Sequence, residues 1–288
     1  MSGRVAEATW EPSALERDRR AFRARASRRS VAVALVSTLV LAAAVSIGVV
    51  NSPGWESVRH TFFDVGIGVD AFPRILEGLW LNVRVLFFAA IGVAIFGSLL
   101  AVMRSLRGPV FFPVRVAATA YTDLFRGMPL LIVLYLVGFG IPALDLFPRQ
   151  PAAVWGSIAI ILSYSAYVGE VLRAGLEAVH PSQRIAARSL GLSHGKTLWL
   201  VVIPQGVRKV IPALMNDFVS MQKDVGLISV LGAVDAVRGA QIHVAQTFNF
   251  TPYVVAALLF VALALPMIRV TDYISARLAS REQNSGTV

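Results

Sequence analysis

The strongest constraint in this sequence is a series of apolar runs, each long enough to cross a lipid bilayer. The first, VAVALVSTLVLAAAVSIGVV at Val31–Val50, contains no charged residue. A transmembrane helix needs about 20 predominantly apolar residues. Further candidate spans follow at about residues 79–103, 117–140, 154–172, 210–233 and 253–270. The pattern predicts an all-α, polytopic integral membrane protein with about six transmembrane helices.

The composition agrees with a membrane protein. Of the 288 residues, 56% are hydrophobic and 15% are charged, whereas soluble domains average about 45–50% apolar and about 25% charged residues. The absence of cysteine excludes disulfides, Cys-ligated metals and a thiol nucleophile. The four histidines are scattered, so we expect no metal site. The net charge of +10 lies mainly in the N-terminal tail and in short connections, which favours a membrane topology signal over nucleic-acid binding.

The basic residues alternate between successive connections. One side of the membrane receives the tail, with eight arginines in residues 1–30, and then Arg104, Arg107, Arg115, Arg173, Arg184, Arg188, Lys196, Arg208, Lys209, Arg277 and Arg281. The opposite side receives only Arg59, Arg74, Arg149 and Arg238. Cytoplasmic connections carry the excess of Lys and Arg, so we expect both termini in the cytoplasm.

These features divide the chain into segments. The predicted order is a basic cytoplasmic tail (1–30), an extra N-terminal span (31–50), an extracytoplasmic loop (51–74), a core (75–275) with a cytoplasmic loop at about 177–207, and a C-terminal cytoplasmic tail (276–288). The triplet Ala42–Ala44 resembles a signal-peptide cleavage site. The 30-residue charged tail before the first run is long for a signal peptide and favours an uncleaved span.

The stretch SLGLSHGKTLWLVVIP at Ser189–Pro204 resembles a phosphate-binding loop but departs from it. The Walker pattern is G-x-x-x-x-G-K-[ST], whereas only three residues separate Gly191 from Gly195, and Leu190 stands where the first glycine belongs. Nucleotide binding is therefore not expected. Two interpretations remain from the residues alone: a docking surface for a partner, or an amphipathic connector on the bilayer.

Local signals predict the structure of this connection. Pro181 suits the first turn of a helix, which the residues PSQRIAARSL favour. Gly191 can end that helix in a left-handed conformation, and Ser193 can cap the next one. Pro204 is expected to break that second helix before the fifth span. The adjacent alanines Ala186 and Ala187 predict a flat surface that a partner can approach closely.

Several motifs resemble those of permease subunits of bacterial ABC importers, in the branch for polar amino acids such as His, Glu, Gln and Arg. The cytoplasmic signature of that family is Glu-Ala-Ala, three residues, Gly, nine residues and Ile-x-Leu-Pro. Its counterpart is Ile185-Ala186-Ala187, Gly191 and Val201-x-Ile203-Pro204, with Ile185 in place of the Glu. Further similar stretches are FRGMPLL (Phe125–Leu131), SAYVGEVLRAGLEAV (Ser165–Val179), IPQGVRKVIPALMNDFVSMQKDVGLISVLG (Ile203–Gly232) and RGAQ (Arg238–Gln241).

The resemblance covers residues 75–275 and implies a mechanism. The signature loop would form a coupling helix that docks on a cytoplasmic ABC ATPase dimer, with Gly191 giving the turn, Ala186 and Ala187 the close contact, and Pro204 the end of the signature. ATP and Mg would be bound by that partner, and this chain would hold no cofactor. An extracytoplasmic amino-acid-binding protein would deliver the substrate, a polar amino acid. A second permease subunit, identical or related, would complete the path in the bacterial cytoplasmic membrane. Ile185 removes any salt bridge that the usual Glu makes.

Charges within the spans supply candidate substrate contacts, because ionisable groups in a bilayer usually face a partner or a cavity. These candidates are Arg84, Asp123, Arg126, Glu170, Asp217, Lys223 and Asp224. Asp123 and Arg126 could pair at i, i+3, as could Glu170 and Arg173. Glu170 is the leading candidate for the ammonium group of an amino acid, with Lys223 or Arg84 for its carboxylate. Structural roles remain open for these charges: snorkelling for Arg84, pairing for Asp123 and Arg126, and packing for Lys223 and Asp224.

Two other function classes compete with the importer. A stand-alone secondary transporter or channel would be favoured by an internal repeat with matched broken helices, and no convincing repeat is visible. A membrane enzyme would need a catalytic constellation. The residues GLSHG place Ser193 next to His194 in the chain, which is poor geometry for a triad. The motifs thus favour the importer, without identifying its amino acid or the role of the first span.

Overall fold

The computed structural model describes residues 13–106, 108–146 and 148–285. Its α-helices are α1 (Ala14–Val50), α2 (Trp55–Phe62), α3 (Val65–Ser105), α4 (Phe112–Gly127), α5 (Leu130–Tyr135), α6 (Ile141–Ala143), α7 (Ala152–Glu177), α8 (Pro181–Ser189), α9 (His194–Thr197), α10 (Ile203–Asp224), α11 (Ala236–Thr247) and α12 (Thr251–Ser285). Leu136–Gly140 and Leu198–Val202 are π-helical, and Pro109–Phe111 and Val225–Leu231 are 3₁₀ turns. Arg107 and parts of both predicted tails lie outside the described residues.

Within this described part, five helices are long and apolar enough to cross a membrane, or six if one bent pair counts as a span. This confirms the predicted all-α polytopic class. The chain divides into a first unit, residues 1–59, and a second unit, residues 60–288.

The first unit is dominated by α1. The Ser13 hydroxyl accepts a 3.3 Å bond from the Glu16 amide and caps the helix start. The apolar run predicted at residues 31–50 is helical. The helix begins at Ala14, however, so the arginine-rich residues before the run continue the same helix.

The second unit is built around α3 and α7, which pack along their lengths. A Cβ on Gly169 would lie 3.2 Å from the carbonyl oxygen of Gly97, so the two backbones approach closely there. Small residues allow such close packing between membrane helices. The core at this crossing includes Val85, Ala89, Val133, Leu134, Ala159, Ile160, Val225 and Ile228.

Helix α3 is longer than the span predicted at residues 79–103. It begins at Val65, where the Asp64 carboxylate accepts a 3.1 Å bond from the Ile67 amide, and its 41 residues include Pro73. Residues 65–74, predicted as part of a loop, are therefore helical and include Arg74. At 1.5 Å per residue the helix is about 60 Å long, which exceeds the roughly 30 Å bilayer core.

The third predicted span, residues 117–140, is not one straight helix. The segments Pro109–Gly127 and Leu130–Ala143 meet at an angle of 108°. Pro129 follows Met128, whose backbone is extended with φ −100° and ψ 136°. Proline disfavours a helical conformation in the residue before it, so the GMP sequence produces the bend.

A buried polar cluster joins α3 to the segment between the fifth and sixth spans. Asn82 donates to the Val225 carbonyl (3.1 Å) and to Asp235 Oδ2 (2.9 Å), and its Oδ1 accepts from the Ala236 amide (3.1 Å). Asp235 Oδ1 caps α11 by accepting from the Arg238 amide at 2.8 Å. Burial raises the pKa of the Asp235 carboxyl to about 6, although its N–H bonds favour the charged form. This cluster positions α11, a helix that the hydropathy pattern did not predict.

Candidate coupling surface and translocation cavity

Within the cytoplasmic connection predicted at about residues 177–207, which we call the coupling segment, helix α8 and the turn that follows it form as their local signals predict. Helix α8 starts with Pro181 in its first turn. It ends in a Schellman motif, in which the Leu192 amide donates to the Ala187 carbonyl (3.2 Å) and the Gly191 amide to the Arg188 carbonyl (3.0 Å). Gly191 has φ +84°, a left-handed conformation that favours glycine. The predicted helix start and glycine turn are both confirmed.

The two signature alanines do not lie on one surface. Ala187 is 5% exposed and packs within the chain, while Ala186 is exposed next to Ile185, which is 65% exposed. Adjacent helical residues are rotated by about 100°, so the pair divides between the inner and outer faces. The exposed face, which we call the coupling face, comprises Ile185, Ala186, Ser189 and Leu190. It is mainly apolar, and Leu190 is 84% exposed.

Two basic side chains fasten the coupling segment to the end of α7. Arg184 donates to the Leu176 carbonyl at 2.7 Å, and Lys209 donates to the Ala178 carbonyl at 2.8 Å. The last carbonyls of a helix lack intrahelical partners and attract cations. Helix α8, through Arg184, and helix α10, through Lys209, are thereby tied to the same helix end.

Pro204 does not break the helix as predicted. Ser193 Oγ caps α9 by accepting from the Lys196 amide at 3.3 Å, as expected, but the helical path then continues from His194 to Leu231. Residues Leu198–Val202 adopt a π-helical segment directly before Ile203 and Pro204. A proline ring clashes with the carbonyl four residues earlier, and the wider π turn accommodates it.

The continued helix crosses α7 at two glycines. A Cβ on Gly206 would lie 2.9 Å from the Gly175 carbonyl oxygen, and a Cβ on Gly175 would lie 2.8 Å from that of Gly206. Any side chain at either position would collide with backbone. These glycines therefore let α10 pack directly against the end of α7 that bears the coupling segment.

Glu170 lies in a network of arginines. It forms ion pairs with Arg173 on the same helix, at 2.7 Å, and with Arg104 of α3. Arg126 of α4 approaches its Oε2 to 4.0 Å, and Arg173 also pairs with Glu177 at 2.6 Å. The predicted Glu170–Arg173 pair is formed. Because Glu170 already faces two guanidinium groups, its carboxylate acts here as a link between α3 and α7.

Asp123 and Arg126 do not form the expected i, i+3 ion pair. Both side chains are exposed, and the nearest carboxylate to Arg126 among the described ion pairs belongs to Glu170. Arg84 and Lys223 are also exposed, on α3 and α10. The structure therefore brings together only part of the set of charges that the sequence suggested.

Asp217 and Asp224 share a cavity of about 320 Å³. Its described lining comprises Met128, Pro129, Leu130, Ser163, Tyr164, Tyr167, Asp217, Ser220 and Asp224. None of these described lining residues is basic. The Tyr164 hydroxyl donates a 2.7 Å bond to Asp224 Oδ2. By contrast, Asp217 Oδ2 is buried without a hydrogen-bond partner within the described chain.

Ser163 adds a second unpaired polar group to this cavity. The residue is 2% exposed, and its hydroxyl has no partner among the described atoms. Buried polar groups normally have hydrogen-bond partners, so the cavity offers an acceptor on Asp217 and a hydroxyl on Ser163 to a ligand. A mainly apolar cavity of about 230 Å³ shares Tyr164 and Asp217 as lining residues. The sequence indicated the two aspartates but not Ser163 or Tyr164, because a serine or tyrosine in an apolar run carries no signal of its own.

Comparison with known proteins assigns the family. Residues 94–280 match the model of the binding-protein-dependent transport system inner membrane component. The chain belongs to this family. The match covers the bent pair, the coupling segment and the cavity, and it excludes α1.

Relatives named as permeases align over nearly their whole length. The chain is 31% identical over 221 residues to the arginine transport system permease protein ArtQ of Bacillus subtilis, covering 76% of this chain and 99% of the relative. It is 30% identical over 216 residues to the probable glutamine ABC transporter permease protein GlnM of the same organism, covering 75% and 98%. It is 32% identical over 225 residues to the glutamate transport system permease protein GluC of Corynebacterium glutamicum, covering 74% and 97%.

Solved structures agree with this assignment. A crystal structure of an amino acid ABC transporter with histidines has a TM-score of 0.66 at 32% identity, covering 73% of this chain and 96% of that chain. A chain of the MetNI methionine ABC transporter, at 15% identity and a TM-score of 0.57, shares the fold. The permease is thus the transmembrane subunit of an ABC importer of the bacterial cytoplasmic membrane. ATP hydrolysis belongs to a separate ATPase subunit, and the family implies a substrate-binding protein as a further partner.

Proposed function

We propose that the permease translocates a polar amino acid with a cationic side chain, driven by the partner ATPase. The observation that carries this proposal is the acidic cavity, in which Asp217 and Asp224 line one space and no described lining residue is basic. The relatives carry names for arginine, glutamine and glutamate transport. Of these three side chains, only that of arginine complements two carboxylates.

The chemistry of Asp217 supports a cationic ligand. Asp217 is only partly buried, but its buried Oδ2 has no partner within the described chain, which is unfavourable in a medium of low dielectric constant. An ammonium or guanidinium group beside Asp217 Oδ2 would offset that cost and donate to the unpaired oxygen. The Ser163 hydroxyl could meet a second polar group of the ligand. The apolar cavity that shares Tyr164 and Asp217 would suit the aliphatic part of a lysine or arginine side chain.

The coupling face supports the docking of an ATPase dimer through apolar contact. Ile185, Ala186 and Leu190 present apolar surface on a short helix whose far end is fixed by the Gly191 turn. ATP and Mg would be bound by the ATPase, and this chain would hold no cofactor. With Ile185 in place of the signature Glu, burial of apolar area would replace an ion pair in the contact.

The remaining parts of the assembly follow from the importer mechanism. An extracytoplasmic amino-acid-binding protein would deliver the substrate, and a second permease subunit, identical or related, would complete the path. Both termini would lie in the cytoplasm. The family match favours this arrangement over a stand-alone secondary transporter or channel.

The test is amino-acid uptake by the complete transporter reconstituted in liposomes with its ATPase and binding protein. We expect Asp217→Asn to reduce ATP-dependent arginine uptake about tenfold or more, since a charge-assisted contact is lost. Asp123→Asn is the matched control, because it removes an exposed carboxylate outside the cavity. Uptake of glutamate but not of arginine by the wild type would overturn the cationic substrate. Transport without ATP would overturn the importer itself.

A further inference from the structure

The helix α1 carries a dense group of arginines next to its apolar run. Residues 19–30, RRAFRARASRRS, contain six arginines and no acidic residue. All of them lie within the single helix Ala14–Val50. The apolar run and the basic segment therefore form one continuous helix, so we expect the arginines nearest the apolar run to lie at the membrane surface when that run crosses the bilayer.

The charges closest to the span are unneutralised within the described chain. Arg23, Arg28 and Arg29 are exposed and form no ion pair with a described acidic residue. Further from the span, Arg20 pairs with Glu16 at 3.1 Å. At 1.5 Å per residue, Arg23 lies about 9 Å from Arg29 along the axis. That distance is close to the Debye length of about 8–10 Å at physiological ionic strength.

One face of this segment combines apolar and basic groups. Phe22, Ala26, Arg29 and Val33 recur at helical spacing, so they lie on the same side of α1. Phe22 is 71% exposed, although it stands among arginines. An aromatic ring beside basic residues is typical of a helix at the level of the lipid headgroups.

We propose that Arg23, Arg28 and Arg29 of α1 form a binding surface for anionic phospholipid headgroups. The charges are complementary, and guanidinium groups can hold phosphate oxygens through two hydrogen bonds. The attached span keeps Arg28 and Arg29 within reach of the bilayer, where lipid phosphates are the most abundant anions. A nucleic acid or acidic protein would have to approach the same bilayer surface. This inference concerns the first unit alone and does not depend on the transported substrate.

The test uses the absence of cysteine from the chain. A fluorophore on Ser27→Cys reports only on this segment, in the complete transporter reconstituted in phosphatidylcholine nanodiscs. A quencher is carried in turn by phosphatidylglycerol and by phosphatidylcholine. We expect phosphatidylglycerol to give the same quenching as phosphatidylcholine at about one third of its content or less. This preference should vanish near 1 M KCl, where the Debye length is about 3 Å.

Two double variants test the dependence on distance. Arg28→Gln with Arg29→Gln should abolish the preference for the anionic lipid, so that both lipids quench at about the same content. Arg28→Lys with Arg29→Lys should retain the preference. The matched control, Arg17→Gln with Arg19→Gln, removes the same charge about 15 Å further along the helix and should retain most of the preference. Equal quenching by both lipids in the wild type would overturn the proposal, whether or not the variants insert. An equal loss in the two glutamine variants would also overturn it.

Discussion

Asn82 and Asp235 form a 2.9 Å hydrogen bond between side chains that are both completely buried. Asn82 lies in α3, and Asp235 is the N-cap of α11. The adjoining backbone is equally close, since any Cβ on Gly78 would collide with the backbone of Asp235. The bond therefore fastens the segment between the fifth and sixth spans to α3, the central helix of the core.

Replacement of Asn82 by Ala should destabilise the permease. The variant leaves the Val225 carbonyl, the Ala236 amide and the Asp235 carboxylate without the partner they share. Each buried unsatisfied group costs about 1–3 kcal/mol, so we expect the thermal midpoint of the purified protein to fall by about 5 °C or more. The control is Arg84→Gln, two residues further along the same helix. Arg84 is exposed, so this change should leave the midpoint within about 1 °C. Equal midpoints for the wild type and Asn82→Ala would contradict the role of this cluster.

Replacement of Asn82 by Asp should make stability depend more steeply on pH than it does in the wild type. It places a second carboxyl beside Asp235, whose pKa burial already raises to about 6. Two adjacent carboxylates raise the pKa of one of them. The folded pair then holds a proton that the unfolded chain has released, so the free energy of unfolding falls as pH rises from about 5 to 8. Thermal midpoints at both pH values measure this, and an equal loss relative to wild type at pH 5 and pH 8 would refute it.

Features determined locally were predicted from the sequence. Apolar length predicted the spans because a bilayer admits few other structures. Pro181, Gly191 and Ser193 indicated the helix boundaries of the coupling segment because capping involves residues a few positions apart. The pair of Glu170 and Arg173 followed from helical spacing in the same way.

Features that depend on tertiary contact were not predicted. The partner of Asn82 lies 153 residues further along the chain, and Arg104 lies 66 residues before Glu170. The sequence suggested Glu170 as a substrate contact because the approach of Arg104 could not be read from spacing. Pro129 and Pro204 carry the same local signal, yet one accompanies a 108° bend and the other a π segment in a continuing helix.

Replacement of Glu170 by Gln should lower stability as well as transport. The change leaves Arg104, whose side chain is 11% exposed, without its anionic partner. Breaking a buried pair from one side costs about 3–5 kcal/mol. Glu177→Gln is the control, because Glu177 pairs with Arg173 but its side chain is 63% exposed, and such pairs contribute about 0–1 kcal/mol. Thermal midpoints of both variants would distinguish a structural link from a substrate contact. If Glu170→Gln keeps the thermal midpoint of the wild type but loses uptake, the substrate role is favoured.

Single cysteines should report the orientation of the chain. The excess of basic residues predicts that Ser13 and Ser189 face the cytoplasm and that Ser52 faces outward. All three serines are exposed, and the chain has no other cysteine to react. In intact spheroplasts, a membrane-impermeant maleimide should label Ser52→Cys alone. Ser13→Cys and Ser189→Cys should react only after permeabilisation, and labelling of either one from outside would reverse the proposed topology.

Replacement of Gly191 by Ala should impair coupling to the ATPase more than folding. Gly191 has φ +84° and ends α8, whereas Gly195 lies in a helix, and a Cβ would have open space at both positions. The strain at Gly191 costs about 1 kcal/mol, which is small against the stability of the core but acts at the turn that orients Ile185 and Leu190. Gly195→Ala is the matched control, since alanine favours a helix. In reconstituted transporter, we expect Gly191→Ala to reduce ATP-dependent uptake about fivefold and Gly195→Ala to leave it unchanged. Equal uptake by both variants would show that the conformation of this turn does not govern coupling.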